Sequence, residues 1–392
     1  MTEKLYDNDA YGRDFSALTK KVSYTGDDRW LVECDRTLFF PEEGGQSSDT
    51  GYLNGYEVTH VSIDDEGIIT HEVKAGEDAF LEGMRAMGQI DWDRRFSNMQ
   101  NHTGEHILSG LLHEIWGSEN VGFHLSDNTV TLDTSRSLTK EDLAVLERRA
   151  NEVVYKDLPV LCRYYDAKEL EDIEYRSKLT FKDSARLVVI PGVDICACCA
   201  PHVGHTGEIG LIRIIKAINY KGGMRLSILS GRRAYEYTAR SHEIIEELSH
   251  KLSEAPDKLA EAVERLQKEI ALGKEREAAR SRAALADLVA SVPGDSRDAV
   301  IFADDMDNIS QRNAVNRLAE SHKGICAVFA GLDGDYRFII SYPEGDARDV
   351  AARLKEKLDA RGGGSKEMVQ GSISSTGDEI KKVISGMTDP GE

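Results

Sequence analysis

The segment that decides the fold runs from Asn98 to Gly117 and reads NMQNHTGEHILSGLLHEIWG. Its apolar residues recur at steps of one, three and four positions, which is the stripe of an amphipathic helix. The members of the stripe are Ile107, Leu108, Leu111, Leu112, Ile115 and Trp116. Gly117 is the residue type that commonly ends a helix. We therefore predict a helix over residues 98–117 whose apolar face packs on a domain core.

The residues before this helix have the pattern of short strands. Residues 1–90 contain apolar alternations such as Trp30-Leu31-Val32 and Glu57-Val58-Thr59-His60-Val61, which are separated by Gly and Asp turns. A period of two broken by turn residues is typical of antiparallel strands. We predict a barrel-like β domain over residues 1–90.

The residues after the helix mix both kinds of secondary structure. Strands are predicted over 129–132, 186–190, 211–218 and 224–229, and a helix over 140–154. Strands and helices mixed in this way indicate an α+β domain. We assign residues 91–234, which include the helix at 98–117, to this second domain.

A third segment, residues 235–291, is rich in Glu, Lys, Ala, Leu and Arg. Apolar residues recur at alternating steps of three and four, as in the seam of a coiled coil. The seam consists of Ile245, Leu248, Leu252, Ala255, Leu259, Ala262 and Leu266. Pro256 interrupts it, so we expect two helices or a helical hairpin rather than one rod. The seam is compatible with a homodimer through residues 241–270 or with packing on the protein's own domain.

The last segment, residues 292–392, returns to alternating strands and helices. Strands are predicted over 299–302, 325–330 and 337–342, with helices over 309–321 and 347–360. About 95 residues of this kind form a common size of independent unit. The whole chain is therefore predicted to be of α+β class, with a barrel-like module, an α+β domain, a helical coiled-coil segment and a C-terminal α/β domain.

Composition limits the classes of function. The 392 residues include 40% hydrophobic and 30% charged residues, which is globular. No apolar run approaches the roughly 20 residues that cross a bilayer, so we expect a cytoplasmic protein without a membrane partner. The net charge of −20 opposes nucleic acid at long range. A local basic face, formed by Arg94-Arg95, Arg225 and Arg232-Arg233, would overcome this repulsion.

Two short motifs supply ligands for a metal ion. His102 and His106 are four residues apart, which places both imidazoles on one helix face. Cys198 and His202 offer a thiolate and a third imidazole in a turn-forming stretch. Nitrogen and sulfur ligands in a tetrahedral set favour zinc over calcium or magnesium. We therefore predict a Zn²⁺ site formed by these four residues.

Three other side chains compete for places in this site. Cys196, Cys199 and His205 lie beside the predicted ligands, and spacing alone does not exclude them. His113 is seven residues after His106, which corresponds to roughly 10 Å along a helix and is too far to share one ion. Free thiols in a chain without a secretion signal indicate metal or redox chemistry more than disulfides.

A glycine-rich segment, residues 35–51, offers a second set of candidates. It reads DRTLFFPEEGGQSSDTG. Paired glycines allow close approach of a ligand to the backbone, although a plain turn would need them as well. Gln46 offers a donor and an acceptor, and Thr37 offers a methyl and a hydroxyl group that would measure a small side chain. Glycine spacing alone favours a plain β-turn, and Thr37 and Gln46 become the candidate catalytic-site residues only through the family resemblance given below.

Taken together these motifs resemble a known family. The glycine and glutamine segment, Asp91-Trp92-Asp93-Arg94-Arg95, His102-x-x-x-His106 and Cys198-x-x-x-His202 occur in the order found in the editing domain of alanyl-tRNA synthetases and their AlaX relatives. The run Arg361-Gly362-Gly363-Gly364-Ser365 resembles the glycine-rich strand of the DHH-associated domain that ends the long AlaX form. One departure is Cys198-Cys199-Ala200-Pro201-His202, where the family usually has Cys-Gly-Gly-Thr-His.

The resemblance implies an activity and a partner. Residues 91–234 would be a zinc-binding editing domain, and residues 292–392 a DHH-associated domain that contributes to tRNA binding and dimerisation. The substrate would be tRNA(Ala) mischarged with Ser or Gly, whose aminoacyl ester is hydrolysed. Because nothing resembles the ATP-binding motifs of a class II synthetase, the resemblance implies a freestanding editing protein.

Two other readings stay open at this point. Residues 102–106 also spell H-x-x-E-H, the inverted motif of a zinc peptidase, in which Glu105 would be the general base. The closed four-ligand set is equally typical of structural zinc. In that reading the metal stabilises the fold of a non-catalytic tRNA-binding protein.

Overall fold

A computed structural model of the chain describes residues 1–177, 181 and 183–388. The chain divides into two compact units, Met1–Glu247 and Leu248–Glu392. The predicted editing domain therefore includes four residues, 178–180 and 182, that lie outside the described residues, and the predicted C-terminal domain includes four more, 389–392. None of the described helices is both long enough and apolar enough to span a bilayer.

The first unit begins with a closed six-stranded β-barrel, in agreement with the predicted barrel-like module. Its strands follow the order β2-β3-β7-β6-β5-β8, and the short strands β1 and β4 pair in parallel outside it. The strands are β1 (Glu3–Lys4), β2 (Asp14–Gly26), β3 (Arg29–Cys34), β4 (Arg36–Thr37), β5 (Gly51–Leu53), β6 (Tyr56–Ile63), β7 (Ile69–Lys74) and β8 (Arg85–Ile90). In β3 and β7 alternate residues are buried in the interior, as a period of two requires.

Helix α1 (Trp92–Trp116) is central to this unit and begins earlier than predicted. Asp91 caps its N-terminus by accepting a hydrogen bond from the Arg94 amide at 3.1 Å, and Gly117 ends it with φ of 57°. The predicted start at Asn98 was wrong: Trp92 and Phe96 continue the apolar spacing of the helix and pack against the core, and the polar Arg95 between them is buried as well. The two predicted metal ligands His102 and His106 consequently lie in the middle of a buried helix.

Between α1 and Gly231 the first unit contains two sheets and two further helices. The sheets have the orders β14-β15-β10-β9 and β11-β12-β13. The elements are β9 (Asn120–Leu125), β10 (Val130–Thr134), α2 (Lys140–Tyr155), β11 (Leu161–Asp166), α3 (Ala167–Glu171), β12 (Ser184–Ile190), β13 (Asp194–Ala197), β14 (Ile212–Tyr220) and β15 (Gly223–Ser230). The apolar half of α1 lies in their shared core. The four strands and the helix predicted in this region are present with shifted ends.

The helical segment is interrupted where Pro256 stands. Helix α4 (Arg232–Leu252) ends before it, and helix α5 (Leu259–Ala290) begins after it. Pro256 itself starts a short 3-10 turn, because a proline is tolerated in the first turn but not inside a helix. Leu248 and Leu266 of the predicted seam are exposed. The homodimer through residues 241–270 stays a prediction.

The second unit ends in a five-stranded sheet of order β16-β17-β18-β20-β19. Its elements are β16 (Ala299–Ala303), α6 (Asn308–Ser321), β17 (Cys326–Leu332), β18 (Asp335–Ser341), α7 (Ala347–Lys357), β19 (Ala360–Gly364), β20 (Met368–Ile373) and α8 (Gly377–Thr388). The predicted helix to Ala360 was too long, since Ala360 already starts β19. A Cβ atom on Gly362 would stand 2.2 Å from the Gln370 carbonyl oxygen, so a glycine is needed at this position of the β19–β20 pairing.

Candidate metal centre

Four side chains of the types that bind zinc converge on one point. The ligand atoms of His102, His106, Cys198 and His202 all lie within 4.8 Å of one another. The Sγ atom of Cys198 is 3.5 Å from Nε2 of His102 and 3.4 Å from Nε2 of His202. A tetrahedral shell with Zn–N of about 2.05 Å and Zn–S of about 2.3 Å separates such atoms by about 3.5 Å. The structure thus brings the four predicted ligands together at a spacing that suits zinc.

Each of the three imidazole rings is held by its other nitrogen. In every case Nδ1 lies against a hydrogen-bond acceptor, which leaves Nε2 unprotonated and directed at the cluster. The acceptors are Gln46 Oε1 for His102, Asp194 Oδ2 for His106 and Thr103 Oγ1 for His202, at 2.7, 2.9 and 3.0 Å. Metal-binding histidines characteristically donate their second N–H in this way. The arrangement of all three rings therefore fits a bound metal ion.

Burial keeps three of the four side chains, those of His102, Cys198 and His202, uncharged when no metal is bound. Desolvation, together with neighbouring positive groups, holds the pKa of His102 and of His202 well below the ordinary histidine value. Desolvation also raises the pKa of the Cys198 thiol well above its ordinary value. The imidazoles of His102 and His202 are thus neutral and ready to bind a cation, whereas the Cys198 thiol has to lose its proton. Binding of a metal would therefore release that proton.

The neighbouring thiol of Cys196 belongs to a different group. It lies with His106 and Asp194, in a set whose ligand atoms are also within 4.8 Å of one another. Asp194 already accepts the Nδ1 hydrogen of His106. This second group therefore lies at the Nδ1 side of the His106 ring, away from the point where the four predicted ligands meet. The geometry therefore favours Cys198 over Cys196 as the sulfur ligand.

The two remaining competitors point elsewhere. The Cys199 thiol bonds to the carboxylate of Glu43, and burial together with this carboxylate raises its pKa to about 12. His205 is more than half exposed and stands 3.8 Å from Asp157. Neither side chain is a member of the four-residue cluster.

The glycine-rich loop, which is the segment of residues 35–51, reaches the cluster through Gln46. Gly45 has φ of +84°, and a Cβ atom on it would lie 2.4 Å from the carbonyl oxygen of Phe123, so glycine is required there. The Gly45 carbonyl accepts a 2.7 Å hydrogen bond from the Leu125 amide, which fastens the loop to β9. This contact places Gln46 beside His102. The Nε2 group of Gln46 is buried and has no hydrogen-bond partner in the described part of the chain.

Two arginines at the start of α1 anchor the same loop from the other side. Arg94 donates to the Ser48 carbonyl at 3.0 Å and pairs with Asp127. Arg95 is completely buried and donates to Asp49 Oδ2 through Nε at 3.0 Å and Nη2 at 2.5 Å. The motif Arg94-Arg95 therefore holds the loop, and the proposal that it belongs to a basic face was wrong.

The other arginines of the proposed basic face also have partners within the protein. Arg225 forms a bidentate ion pair with Asp133, at 2.6 and 2.7 Å. Arg232 pairs with Asp93 at 3.2 Å. Arg233 is partly buried and its three hydrogen bonds go to uncharged groups of α1 and of the loop after β9. These positive charges are largely neutralised or enclosed, so they do not form an open basic surface.

Thr37 lies in a buried pair with His71 rather than in the cluster. His71 Nδ1 donates to the Val32 carbonyl at 2.8 Å, so its Nε2 accepts from the Thr37 hydroxyl at 2.9 Å. The hydroxyl also accepts from the Phe39 amide at 3.1 Å. Burial lowers the pKa of His71 to about 4, so this ring stays neutral. Thr37 is thereby fixed in one rotamer with its hydroxyl already engaged.

The carboxylate of Glu105 is occupied by its neighbours. It accepts hydrogen bonds from the Ser109 hydroxyl and from Asn120 Nδ2, the latter at 2.7 Å. A general base in an H-x-x-E-H peptidase has to face a metal-bound water, and a third protein ligand is normally a carboxylate. The cluster found among the described residues contains three histidines and a cysteine instead. These contacts disfavour the peptidase reading.

Asp194, Thr103 and Arg176 are site residues that the sequence reasoning missed. Arg176 donates to both oxygens of Asp194 at 2.8 Å, and this fixes the carboxylate that orients His106. Burial alone would raise the pKa of Asp194, but the hydrogen bonds from His106 and Arg176 outweigh it and the pKa lies below the ordinary value. Thr103 stands within the H-x-x-E-H motif, and its spacing from His102 gave no sign of this role.

Comparison with known proteins places these motifs in a family. The profile of the threonyl and alanyl tRNA synthetase second additional domain matches residues 185–226, which include the predicted ligands Cys198 and His202. The profile of class II (A) tRNA synthetases matches residues 14–94, which form the barrel and the start of α1.

Individual relatives agree with the two profiles. The alanine–tRNA ligase of Pyrococcus abyssi is 32% identical over 95% of this chain and 42% of its own length. The alanyl-tRNA editing protein AlaX-L of Pyrococcus horikoshii is 30% identical over 68% of this chain and 66% of its own length. The chain thus spans less than half of that ligase. Among solved structures, the C-Ala domain of Aquifex aeolicus alanyl-tRNA synthetase matches 23% of the chain and 86% of its own length, with 16% identity and a TM-score of 0.20, which is too low to support an argument.

Proposed function

Because the chain belongs to the family of AlaX-type alanyl-tRNA editing proteins and the corresponding part of alanyl-tRNA synthetases, we propose that it hydrolyses mischarged tRNA(Ala). The substrate is proposed to be Ser-tRNA(Ala), Gly-tRNA(Ala) or both. Water attacks the carbonyl carbon of the aminoacyl ester, the bond to the ribose oxygen breaks, and the amino acid and the free tRNA leave. The same proposal places Zn²⁺ on His102, His106, Cys198 and His202.

The observation that carries this proposal is the contact between Gln46 and His102. Through it the glycine-rich loop and the metal cluster form one site, although 56 residues separate the two side chains. Gln46 Oε1 orients the ring of His102. The N–H groups on the buried Nε2 of Gln46 have no acceptor among the described residues. A buried donor without a partner is costly, and a substrate carbonyl oxygen would satisfy it. We propose that Nε2 stabilises the negative charge that develops on this oxygen.

Zinc in this position would supply a positive charge near the ester and hold the ligand-bearing segments together. With four protein ligands the shell is closed, so the structural contribution follows from the ligands alone, whereas polarisation of the ester requires one ligand to leave or the coordination to expand. The protein's own part is to keep Nδ1 of each histidine protonated, through Gln46, Asp194 and Thr103.

Selection of the amino acid is proposed to depend on Thr37. A site that hydrogen-bonds a serine hydroxyl rejects alanine far better than an apolar pocket rejects one methylene group. Thr37 is held in one rotamer by His71 and by the Phe39 amide, so its methyl group and the remaining lone pair of its hydroxyl have fixed positions. A side chain that discriminates between small amino acids has to be held in one position.

We expect the zinc-loaded protein to cleave Ser-tRNA(Ala) or Gly-tRNA(Ala) faster than Ala-tRNA(Ala). The test follows the loss of each aminoacyl ester over time against the rate in buffer. If all three esters survive at the buffer rate while zinc is bound, deacylation is rejected. Tight tRNA binding without hydrolysis would favour the non-catalytic zinc protein, and peptidase activity that Glu105→Gln abolishes would favour the peptidase.

Gln46→Glu should separate the two functions of Gln46. Glutamate keeps an acceptor for the His102 Nδ1 hydrogen but has no N–H donor, so zinc affinity should be retained. Removal of one donor of this kind typically costs about 10²–10³ in rate, and we expect a loss of this order in deacylation by single-turnover kinetics. Gln46→Ala removes the acceptor too and should weaken zinc binding as well. Unchanged deacylation by Gln46→Glu would contradict the assigned donor.

A further inference from the structure

The segment that joins two of the proposed ligands lacks the glycines usual in the family. It reads Cys198-Cys199-Ala200-Pro201-His202, and it has to turn so that the first and last side chains meet 3.4 Å apart. Ala200 is completely buried in the barrel core. A turn without glycine has less conformational freedom, so its backbone has to be held by contacts from outside.

Arg186 provides such contacts. It lies on the central strand of the sheet β11-β12-β13, and its side chain is 5% exposed. Its Nη1 donates to the carbonyl oxygens of both Cys198 and Ala200, each at 2.9 Å. Its own carbonyl accepts from the Cys198 amide at 3.1 Å. One residue therefore binds the turn on either side of Cys199.

The guanidinium group is itself held in place. Its Nε stands 3.6 Å from Asp7, and the same carboxylate accepts a 2.9 Å hydrogen bond from the Tyr164 hydroxyl. Tyr164 is paired with Arg186 across the β11–β12 ladder. The planar guanidinium presents several donors in a fixed geometry, which a lysine ammonium does not. The two carbonyls are thus bound by a rigid group rather than by a mobile surface side chain.

We infer that Arg186 is the positioning residue of the zinc site, and that it sets the backbone of residues 198–200 so that Cys198 and His202 meet. The inference rests on the zinc site proposed above. In this chain the turn at residues 198–202 lacks glycine, and a side chain from another strand holds its backbone in place. Arg186 acts through Cys198 and has no part in the ester chemistry.

The test compares Arg186→Gln, Arg186→Lys and the wild-type protein, with Arg225→Gln as the control. Arg225 is also bound in two places, by Asp133, but it lies in the other sheet of the first unit. Zinc affinity is measured by competition with a chelator, and the visible spectrum of the Co²⁺-substituted protein reports the sulfur ligand and the tetrahedral geometry. Thermal unfolding of each metal-free variant shows how much general stability is lost.

Arg186→Gln should weaken zinc binding by about 10- to 100-fold, the usual effect of losing a residue that orients a ligand, and should change the Co²⁺ spectrum. Arg186→Lys should recover part of the affinity, because one ammonium group reaches one carbonyl. Arg225→Gln should keep the wild-type spectrum even where it melts earlier. The inference is overturned if Arg186→Gln has wild-type affinity and spectrum, or if Arg225→Gln changes both equally. Absence of zinc binding by the wild-type protein would instead reject the metal site itself.

Discussion

Cys198→Ala is expected to lose both zinc and ester hydrolysis. Its thiol is the sulfur atom that lies within 3.5 Å of two imidazole Nε2 atoms, so removal leaves three neutral nitrogens and no ligand charge to offset the cation. Loss of an outer residue costs roughly 10- to 100-fold in affinity or activity, and loss of a ligand should exceed that. Zinc content by atomic emission and deacylation of Ser-tRNA(Ala) measure the two effects.

The chain offers matched controls for this substitution in the two adjacent thiols. Cys199→Ala removes a thiol that faces Glu43, and Cys196→Ala removes one on the outer side of His106. Both variants should keep stoichiometric zinc and most of the deacylation rate. If Cys196→Ala or Cys199→Ala lost zinc while Cys198→Ala kept it, the assignment of the sulfur ligand would be wrong. If Cys198→Ala lost zinc but still deacylated, the metal would not be needed for hydrolysis.

The four residues of the metal cluster could be predicted from the sequence because they form two pairs, each with a spacing of four residues. Two histidines four apart on a helix share a face, and a cysteine and a histidine four apart can meet across a turn. The outer residues do not follow from spacing. Asp194 reaches His106 across 88 positions, and Gln46 reaches His102 across 56. Contacts of this range depend on how the barrel loop and the sheet are packed on α1.

The limits of the fold prediction have a similar cause. The barrel, the break at Pro256 and most strands follow from alternation and from proline chemistry, which are local. The start of α1 was missed because its first turns mix the apolar Trp92 and Phe96 with the buried polar Arg95, which weakens the hydrophobic period. The polar residues Arg94 and Arg95 of these turns bind the glycine-rich loop. The error in the predicted helix start therefore coincides with the functional site.

Arg95→Met should destabilise the protein by about 3–5 kcal/mol, the usual cost of removing one partner of a buried ion pair. Arg95 and Asp49 both have 0% side-chain exposure, so the substitution leaves a carboxylate buried with the Phe40 amide as its remaining described donor. Urea denaturation of the metal-free protein measures the loss. Arg94→Met is the control on the same helix turn, because its charged partner Asp127 is 59% exposed and its other partners in the loop, the Ser48 carbonyl and the Ser47 hydroxyl, are uncharged. An ion pair of that kind contributes roughly 0–1 kcal/mol.

A double variant distinguishes an unpaired charge from lost packing. Arg95→Met combined with Asp49→Asn keeps an acceptor for the Phe40 amide at 2.7 Å but removes the buried charge, so it should be more stable than Arg95→Met alone. If the double variant is less stable than the single one, the buried charge is not the main cost. Both variants should also deacylate slowly below their melting temperatures, because Asp49 follows Gln46 by three residues and fixes the end of the same loop. A variant with lost stability and full activity would show that the loop needs no anchor from α1.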